Sequence, residues 1–242
     1  MQFIGTGKHS SVFRSNDNAI KLLNKNMHNQ YNFNKINHEF NAIIALAEHG
    51  MPTPRNAKLI INELKKKHGI QYDFINGILA KNFKFTEENN KKFQSALKIF
   101  FEKLHSIQLP LNKVQLKKTN ISKDIYPKII EENKKLFTKK EFDQIITKIE
   151  LHAKKKNFIN SPNVMLHGDI SNSNIILLKN GSINGVIDWS ECMIGDPAYD
   201  LAGVLIYFGE KTLKSLLIHE NYSTEMLERI NYYASMEYLF RL

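Results

Sequence analysis

The chain has 242 residues, 42% of them hydrophobic, and a net charge of +10 at pH 7. This length is enough to bury a core in one large domain or in two lobes. The single cysteine, Cys192, excludes a framework of internal disulfides and fits a reducing cytoplasm. No apolar run approaches the roughly 20 residues of a membrane span, and the first residues lack the pattern of a signal peptide. We therefore expect a cytoplasmic protein without a membrane partner.

Most of the positive charge lies in one segment, residues 111–160. This segment contains 13 lysines and 6 acidic residues, which gives +7 of the net +10. It lacks the interleaved aromatic residues that stack on bases, and it has no zinc-ligand spacing. We interpret the lysines as solvated helix faces and expect no nucleic-acid partner. A nucleic-acid binder would instead show affinity that falls steeply with salt.

The first 23 residues predict three strands joined by short turns. A glycine turn, Gly5-Thr6-Gly7, precedes a β-rich run that begins near Ser10. Two glycines alone are a weak signal, because an ordinary hairpin turn explains them about as well. The next strand carries Lys21, which could neutralise the charge of phosphates. The two glycines lack Cβ atoms, so their backbone could close over those phosphates.

Residues 33–49 predict an amphipathic helix that ends at Gly50, and this helix carries Glu39. Two strands follow, at 57–63 and 69–75, joined by a charged turn. The second strand leads to Gly77, where we place the boundary between an N-terminal lobe and a C-terminal lobe, residues 1–77 and 78–242. The C-terminal lobe is predicted to be mainly helical, with apolar stripes at helical spacing in four further segments, 86–105, 122–156, 201–208 and from 223 onward.

The most specific chemical pattern lies between residues 164 and 200. An apolar run leads to His167-Gly168-Asp169, and Asn174 follows five residues after Asp169. Strands at 175–178 and 185–187, around a turn at Lys179-Asn180-Gly181 of the Asn-Gly type, predict a hairpin. The second strand delivers Asp188, nineteen residues after Asp169.

This spacing suits phosphoryl transfer. The reaction needs a carboxylate that orients or deprotonates the attacking hydroxyl, and oxygen ligands for the magnesium that bridges nucleotide phosphates. The hairpin could bring Asp169, Asn174 and Asp188 around one phosphate. Asn174 is a neutral oxygen donor, so it can share a metal with Asp188 without like-charge repulsion. A solvated turn explains any single aspartate, but the joint pattern favours the site.

The same string resembles the catalytic hairpin of the aminoglycoside phosphotransferase/choline kinase family, small-molecule relatives of the protein kinases. Residues 167–174 match the family's HGDxxxxN, and residues 187–202 match its IDWxxxxxGDPxxDLA. The resemblance covers nearly the whole chain. It implies an α+β, bilobal protein-kinase-like fold with a small β-rich N-terminal lobe and a mainly helical C-terminal lobe.

The resemblance also implies roles for the residues of this motif. Asp169 corresponds to the catalytic base. Asn174 and Asp188 correspond to the Mg²⁺ ligands, and Asp196 and Asp200 correspond to braces of the catalytic loop.

In the N-terminal lobe, the resemblance implies a binding site for ATP or GTP. Gly5 and Gly7 correspond to the loop over the phosphates, and Ser10 stands where protein kinases have a third glycine. Lys21 corresponds to the lysine that holds the phosphates, and Glu39 to its ion-pair partner; a solvent-facing glutamate is the alternative.

The purine is expected at the segment that follows the fifth strand. The resemblance places hydrogen bonds from the base on the backbone of Asp73 and Ile75. It places Tyr72 at the back of the base pocket, where its bulk could narrow the pocket and leaves the choice between ATP and GTP open.

The predicted activity is magnesium-dependent transfer of the γ-phosphate of ATP or GTP to a hydroxyl of a small molecule. Trp189-Ser190-Glu191 and the following GDP motif look most like the antibiotic kinases, which act on aminoglycosides or macrolides. Choline or ethanolamine and sugar metabolites are the alternative acceptors, and a basic chain disfavours polycationic aminoglycosides.

In the family, the helical insert before the catalytic loop helps to wall the acceptor site. Asp124, Glu131 and Glu132 could therefore face a cationic acceptor. Solvated carboxylates paired with lysines one turn away, such as Glu131 with Lys135, are the simpler interpretation.

Two further functions compete with this prediction. A protein kinase usually has lysine two residues after the catalytic aspartate, whereas this chain has Ser171. Only seven residues separate Asp188 from Asp196, which leaves no obvious activation segment. A catalytically silent nucleotide-binding regulatory module is disfavoured because the set of functional residues is complete.

Overall fold

The computed structural model describes residues 1–62, 67–108, 116, 118–217 and 223–240. Its contacts divide these residues into two compact units. The first contains residues 1–103 and 171–192, and the second contains the described parts of 104–170 and 193–240. The predicted boundary near Gly77 follows chain order, whereas the contacts also assign the hairpin with Asn174 and Asp188 to the first unit. Most of the predicted charged turn lies outside the described residues.

The regular elements follow the predicted order of strands first and helices later. The strands are β1 (Gln2–Thr6), β2 (Ser10–Ser15), β3 (Asn18–Leu23), β4 (Lys58–Asn62), β5 (Lys67–Asp73), β6 (Ile78–Leu79), β7 (Val164–Leu166), β8 (Ile175–Leu177), β9 (Ile183–Val186) and β10 (Met193–Gly195). The α-helices are α1 (Gln30–Glu48), α2 (Glu87–Ser106), α3 (Tyr126–Glu132), α4 (Lys139–Ala153), α5 (Lys156–Ile159), α6 (Ala198–Leu217) and α7 (Thr224–Phe240). A π-helical turn, Ile121–Ile125, and short 3₁₀ turns, among them Lys25–Met27 and Trp189–Glu191, connect them.

The first unit is built on an antiparallel five-stranded sheet in the order β1-β2-β3-β5-β4. β3 is its middle strand, and burial alternates along β3, so that Ala19, Lys21 and Leu23 share the buried face. The period of two expected for a strand therefore places one charged residue among apolar ones. That residue is Lys21.

Helix α1 packs its apolar face, which includes Ile36, Ile43 and Leu46, into the core of the first unit. It begins at Gln30, three residues before the predicted start. The reason is a side-chain cap, because Asn29 accepts a hydrogen bond of 2.9 Å from the backbone N–H of Asn32.

A second sheet in the first unit has the order β6-β8-β9. The predicted hairpin is present as β8 and β9. Its turn consists of the three predicted residues, Lys179-Asn180-Gly181: the N–H of Gly181 donates to the carbonyl of Leu178, and Gly181 takes a left-handed φ of 88°. This is the three-residue geometry in which glycine follows a type I turn, and β9 begins at Ile183, two residues before the predicted strand.

The second unit is mostly helical and contains the antiparallel pair β7 and β10. Its core includes aromatic contacts of Tyr232 with Tyr126, Phe158 and His152. The predicted helix at 201–208 is the first part of α6, which changes direction at Gly209. Within the described part of the chain, no helix is long and apolar enough to cross a membrane.

Asp124 and Glu131, two of the acidic residues considered for a cationic acceptor, make local contacts. Glu131 forms an ion pair with Lys134, one residue before the lysine named as its partner in the sequence prediction. A carboxylate oxygen of Asp124 accepts the backbone N–H of Asn120 at 2.8 Å. These contacts support the simpler interpretation of exposed helix carboxylates.

Candidate active site

The first unit contains a cleft of about 550 Å³, lined by residues from both of its sheets. Its polar lining includes Lys21, Asn174 and Asp188, and its apolar lining includes Val12 and Ile187. A volume of this size suits a small organic ligand or cofactor. The remaining lining residues are Ile4, Gly5, Thr6, Gly7, Ser10, Ala19, Tyr72, Phe74, Ile75, Gly77, Ile78, Leu79, Lys81, Asn82, Ser173 and Ile176.

One buried ammonium joins two carboxylates at the polar end of this cleft. Nζ of Lys21 lies 2.7 Å from Oε2 of Glu39 and 2.8 Å from Oδ1 of Asp188. Glu39 is 1% exposed, so the alternative of a solvent-facing glutamate is wrong. Burial lowers the pKa of the Lys21 ammonium, but the attraction of Glu39 and then of Asp188 outweighs it and raises the pKa above its ordinary value. Lys21 is therefore a permanent cation in this site.

The glycine turn forms one wall of the cleft. Neither Gly5 nor Gly7 has a positive φ, and a Cβ atom built on either would meet no atom closer than 3.8 Å. These glycines are therefore not required by the turn itself. They leave open space in the cleft beside Ser10.

The other end of the cleft is apolar and lies against the end of β5. Tyr72 is 6% exposed and lines the cleft together with Phe74 and Ile75. The backbone N–H of Asp73 donates to the carbonyl of Arg55 at 2.9 Å and is therefore already bonded within the protein. Among the described residues, none accepts the backbone N–H of Ile75. A carbonyl and an N–H two residues apart can serve as acceptor and donor for a purine edge.

The hairpin places Asn174 and Asp188 at its open end. The N–H of Ile187 donates to the carbonyl of Asn174 at 2.9 Å, which extends the β8–β9 ladder by one step. This bond places Asn174 opposite Ile187, the residue before Asp188. Asp188 has a left-handed backbone, with φ 65° and ψ 64°. For a residue with a Cβ this conformation is strained by about 1 kcal/mol or more, and such strain persists only where neighbouring contacts enforce it.

Helix α1 and a buried tryptophan supply those contacts. Lys35 forms an ion pair with Glu191, and Nε2 of His38 lies 2.7 Å from the backbone oxygen of Cys192. Trp189 is fully buried, and its Nε1 donates to the carbonyl of Val186 at 2.9 Å. The segment that follows Asp188 is thus held on both sides.

The donors at this site fit a magnesium ion. Asn174 offers an amide oxygen and Asp188 a carboxylate, and both are hard oxygen ligands of the kind that Mg²⁺ prefers. Mg²⁺ in phosphate-transferring sites commonly takes only one or two protein ligands and completes its shell with phosphate and water.

Asp169 belongs to the second unit, in a loop whose backbone is fixed from two directions. The N–H of Asp169 is 3.2 Å from Nδ1 of His167, and Gly168 has a φ of 82°, which favours glycine. The carboxylate of Asp200 accepts the N–H of His167 at 2.8 Å and that of Gly168 at 2.9 Å. Asp200 therefore braces the loop directly, as the motif predicted.

Burial raises the pKa of the Asp200 carboxyl to about 7. The two backbone N–H groups that it accepts lower this pKa, and the nearby charge of Asp169 raises it. Helix α6 approaches the loop closely at Gly203, where a Cβ atom would lie 2.5 Å from the carbonyl oxygen of Ile170. The glycine of the DLAG sequence thus permits the contact that keeps Asp200 next to the loop.

Asp196 has a different partner from the one predicted. Its Oδ2 accepts Nε of Arg229 at 2.7 Å and the hydroxyl of Tyr233 at 3.1 Å, and its Oδ1 accepts the N–H of Ala198 at 3.1 Å. These bonds tie the start of α6 to α7. The expected brace on the catalytic loop is thus found at Asp200, whereas Asp196 joins two helices.

Sequence reasoning missed several residues that line the cleft. Lys81 and Ser173 lie on its rim, and Phe74 and Ile176 contribute apolar surface. Ser173 could have been found from its position next to Asn174. Lys81 follows a two-residue strand, β6, which is too short for any periodic pattern to mark.

A β-rich unit with a lysine–glutamate pair and a paired Asn and Asp at a cleft, together with a braced HGD loop, defines a kinase-like phosphotransferase. Comparison with known proteins agrees. The chain matches the APH phosphotransferase enzyme family over residues 1–222 and belongs to that family. The predicted family and fold class are therefore confirmed.

Solved structures of similar fold are aminoglycoside phosphotransferases. The GDP complex of wild-type aminoglycoside 2'-phosphotransferase-IIIa superposes with a TM-score of 0.79 at 15% identity, over 99% of this chain and 84% of that chain. The ternary complex of APH(2")-IIa with streptomycin and ATP has a TM-score of 0.72 at 18% identity, over 99% and 85%. The complex of APH(3'')-Id from Streptomyces rimosus ATCC10970 with ADP and streptomycin has a TM-score of 0.72 at 16% identity, over 95% and 90%.

A curated relative is similar over a short segment. The uncharacterized protein YcbJ of Bacillus subtilis (strain 168) is 38% identical over 53 residues, which is 22% of this chain and 17% of the length of YcbJ.

Proposed function

We propose that the protein transfers the γ-phosphate of ATP or GTP to a hydroxyl group of a small molecule, with Mg²⁺ as cofactor. The observation that carries the proposal is the bonded set of Lys21, Glu39 and Asp188 at the polar end of a 550 Å³ cleft. A buried cation held by two carboxylates contributes little to the stability of the fold, because replacing such a group by apolar residues is often neutral or stabilising. We therefore assign it the role of binding phosphate.

The two ends of the cleft would bind different parts of the nucleotide. The base would lie between the apolar walls near Tyr72, with hydrogen bonds to the backbone of Asp73 and Ile75. The triphosphate would lie under Gly5, Gly7 and Ser10, with Lys21 against its charge and Glu39 holding Lys21 in place. Asn174 and Asp188 would hold Mg²⁺, which neutralises charge on the phosphate oxygens when it is bound.

Asp169 is proposed as the catalytic base. Its carboxylate would accept the proton of the attacking hydroxyl and orient that oxygen toward the γ-phosphorus. Asp200 supports this role, because it fixes the backbone of the two residues before Asp169 through two hydrogen bonds. Positioning and charge neutralisation supply most of the rate in this class of reaction.

The acceptor that we propose is an antibiotic of the aminoglycoside or macrolide type. The likeness of residues 189–196 to the antibiotic kinases supports it, as do the streptomycin complexes of proteins with this fold. Choline or ethanolamine and sugar metabolites are the competing acceptors. The single buried cysteine supports a cytoplasmic location, where phosphate donors are available.

The test is phosphate transfer from labelled ATP and GTP to aminoglycosides, macrolides, choline, ethanolamine and small sugars. The Asp169→Asn variant serves as the control. Transfer to one acceptor class that is lost in the variant would establish both the reaction and the acceptor. Magnesium-dependent nucleotide binding without transfer to any acceptor on the panel would contradict the proposed acceptors.

A further inference from the structure

Asn24 occupies the position at which β3 ends and a 3₁₀ turn begins. Asparagine in front of a helical turn usually caps it with its side chain. Here the side chain makes no capping bond to Lys25–Met27. It reaches in the opposite direction, toward the loop between β1 and β2, and its hydrogen-bonding groups are committed there.

Three hydrogen bonds join Asn24 to this loop. Its Nδ2 donates to the carbonyl of Gly7 at 3.2 Å, and its Oδ1 accepts the hydroxyl of Ser11 at 2.7 Å. Its backbone N–H donates to the carbonyl of His9 at 2.9 Å. Asn24 thus holds the loop at three positions, Gly7, His9 and Ser11.

The loop has an internal link that depends on the same residue. The hydroxyl of Thr6 lies 2.9 Å from that of Ser11, and the N–H of Gly7 donates to the carbonyl of Ser10 at 2.8 Å. Ser11 therefore connects Thr6 on one side of the loop with Asn24 below it. We call Thr6, Ser11 and Asn24 the loop clamp.

The clamp ties the loop to the strand that carries the phosphate-binding lysine. Asn24 lies three residues after Lys21 and directly follows the last residue of β3. Strand β2 pairs with β3 along its length. Asn24 therefore links the glycine loop to the end of the strand that carries Lys21. Only an amide at this length both donates to the Gly7 carbonyl and accepts from Ser11; aspartate lacks the donor, and alanine lacks both groups.

We propose that Asn24 is a positioning residue that sets the glycine loop over the nucleotide phosphates. The inference rests on the proposed function for its consequence, but the clamp itself is a property of the protein without nucleotide. Loss of the clamp should lower nucleotide affinity and leave the acceptor site untouched, since preorganisation of a loop contributes to affinity by reducing the ordering cost of binding.

The experiment compares wild type with Asn24→Ala, Ser11→Ala and the double variant. Binding of a fluorescent ADP analogue with Mg²⁺ should weaken about 5- to 30-fold in Asn24→Ala, the range expected for two lost side-chain hydrogen bonds. Ser11→Ala should weaken binding less. The double variant should bind the analogue about as weakly as Asn24→Ala alone, because the effects of substitutions within one hydrogen-bond network do not add.

Amide hydrogen exchange provides the readout that is independent of nucleotide. In Asn24→Ala, exchange of the Gly7 N–H, which donates to the carbonyl of Ser10, should accelerate while the thermal midpoint and exchange in α1 stay unchanged. Asn34→Ala is the matched control: Asn34 is exposed and its Oδ1 accepts a hydrogen bond of 2.9 Å from Gln30, far from the loop in sequence. It should alter neither binding nor loop exchange.

Unchanged nucleotide affinity in Asn24→Ala would overturn the proposal, as would unchanged exchange of the Gly7 N–H. A general loss of thermal stability with parallel loss of all exchange protection would show a merely structural role and would overturn it as well. If wild type binds no nucleotide, the proposed function fails, and the exchange measurement still decides whether Asn24 holds the loop.

Discussion

Nζ of Lys21 and Oδ1 of Asp188 are joined by a hydrogen bond of 2.8 Å, although the two residues are 167 positions apart in the chain. The bond links the middle strand of the large sheet with the end of the β8–β9 hairpin. Since Lys21 is also bonded to Glu39, the site contains one cation and two carboxylates. The charge of each group in this set therefore depends on the other two, and single substitutions should reveal that dependence.

The first prediction concerns the buried pair of Lys21 and Glu39. Lys21→Met should lower the free energy of unfolding by about 3–5 kcal/mol, because it leaves the Glu39 carboxylate buried without its main partner. The double variant Lys21→Met/Glu39→Gln should recover much of this loss, since the isolated charge is removed. Urea denaturation at pH 7 measures both effects.

The control is an exposed pair of the same chemistry. Lys91 and Glu87 lie one turn apart on α2 and are largely solvent-exposed. Lys91→Met should change the free energy of unfolding by no more than about 0.5 kcal/mol. Equal losses of unfolding free energy in Lys21→Met and Lys91→Met would mean that burial does not determine the contribution of the Lys21–Glu39 pair.

Asp169→Asn should abolish phosphate transfer and leave nucleotide affinity within about twofold. The substitution keeps the size of the side chain and removes its ability to accept a proton at neutral pH, so it acts on a chemical step. Single-turnover transfer and equilibrium nucleotide binding should be measured on the same preparation. Unchanged turnover would remove Asp169 from the role of base.

Asp188→Ala should remove the effect of magnesium on nucleotide affinity. The ratio of nucleotide affinities with and without Mg²⁺ should fall toward one, because a proposed oxygen ligand is lost. The control is Asp17→Asn, at an exposed carboxylate in the β2–β3 turn, and it should keep the ratio of wild type. An unaltered ratio in Asp188→Ala would contradict its assignment as a metal ligand.

Tyr72→Ala should raise the preference for ATP over GTP by about tenfold. Adenine carries a donor where guanine carries an acceptor, so a wider pocket that lets the base reach the Asp73 carbonyl benefits adenine alone. Tyr72→Phe keeps the ring and should keep the preference of wild type. Competition between the two nucleotides for a fluorescent analogue gives the ratio, and an equal ratio in all three proteins would show that the ring does not limit the pocket.

Asp200 should make the stability of the protein fall as the pH rises from about 4 to 7. Its pKa is raised from 3.8 to about 7 in the folded protein, chiefly by burial. The folded state therefore binds more protons than the unfolded state within this window, and the slope of the unfolding free energy with pH is negative for this group. More than about one pH unit below 4 or above 7, its contribution is constant.

The measurement is urea denaturation of wild type and Asp200→Asn at several pH values between 4 and 8. The difference in unfolding free energy between the two proteins should change across the window and then level off. A constant difference would mean that Asp200 keeps its ordinary pKa.

The sequence predicted the elements whose residues carry local signals. The glycine turn and the β-rich run after it are short-range patterns, and the resemblance to kinases placed Lys21 on the next strand. The start of α1 was placed three residues late because the capping role of Asn29 depends on backbone geometry that periodicity does not report. The turn at Lys179-Asn180-Gly181 was predicted correctly, because the Asn-Gly pair is a local signal.

The partners of side chains distant in sequence were harder to predict. That Lys21 bonds Asp188 as well as Glu39 follows from the meeting of a sheet, a helix and a hairpin, and no local pattern contains it. Arg229, the partner of Asp196, lies on the last described helix, with nothing in its own neighbourhood to mark it. The motif identified the residues, and the tertiary structure determined which of them touch.

The burial of Trp189 has a practical consequence. It is the only tryptophan in the chain, it is fully buried, and it directly follows Asp188. Its indole is packed near Phe100, with ring centroids 6.3 Å apart, and is hydrogen-bonded to the carbonyl of Val186. The protein therefore carries a native fluorophore one residue from its proposed metal ligand, and emission intensity can report on events at that site without a label.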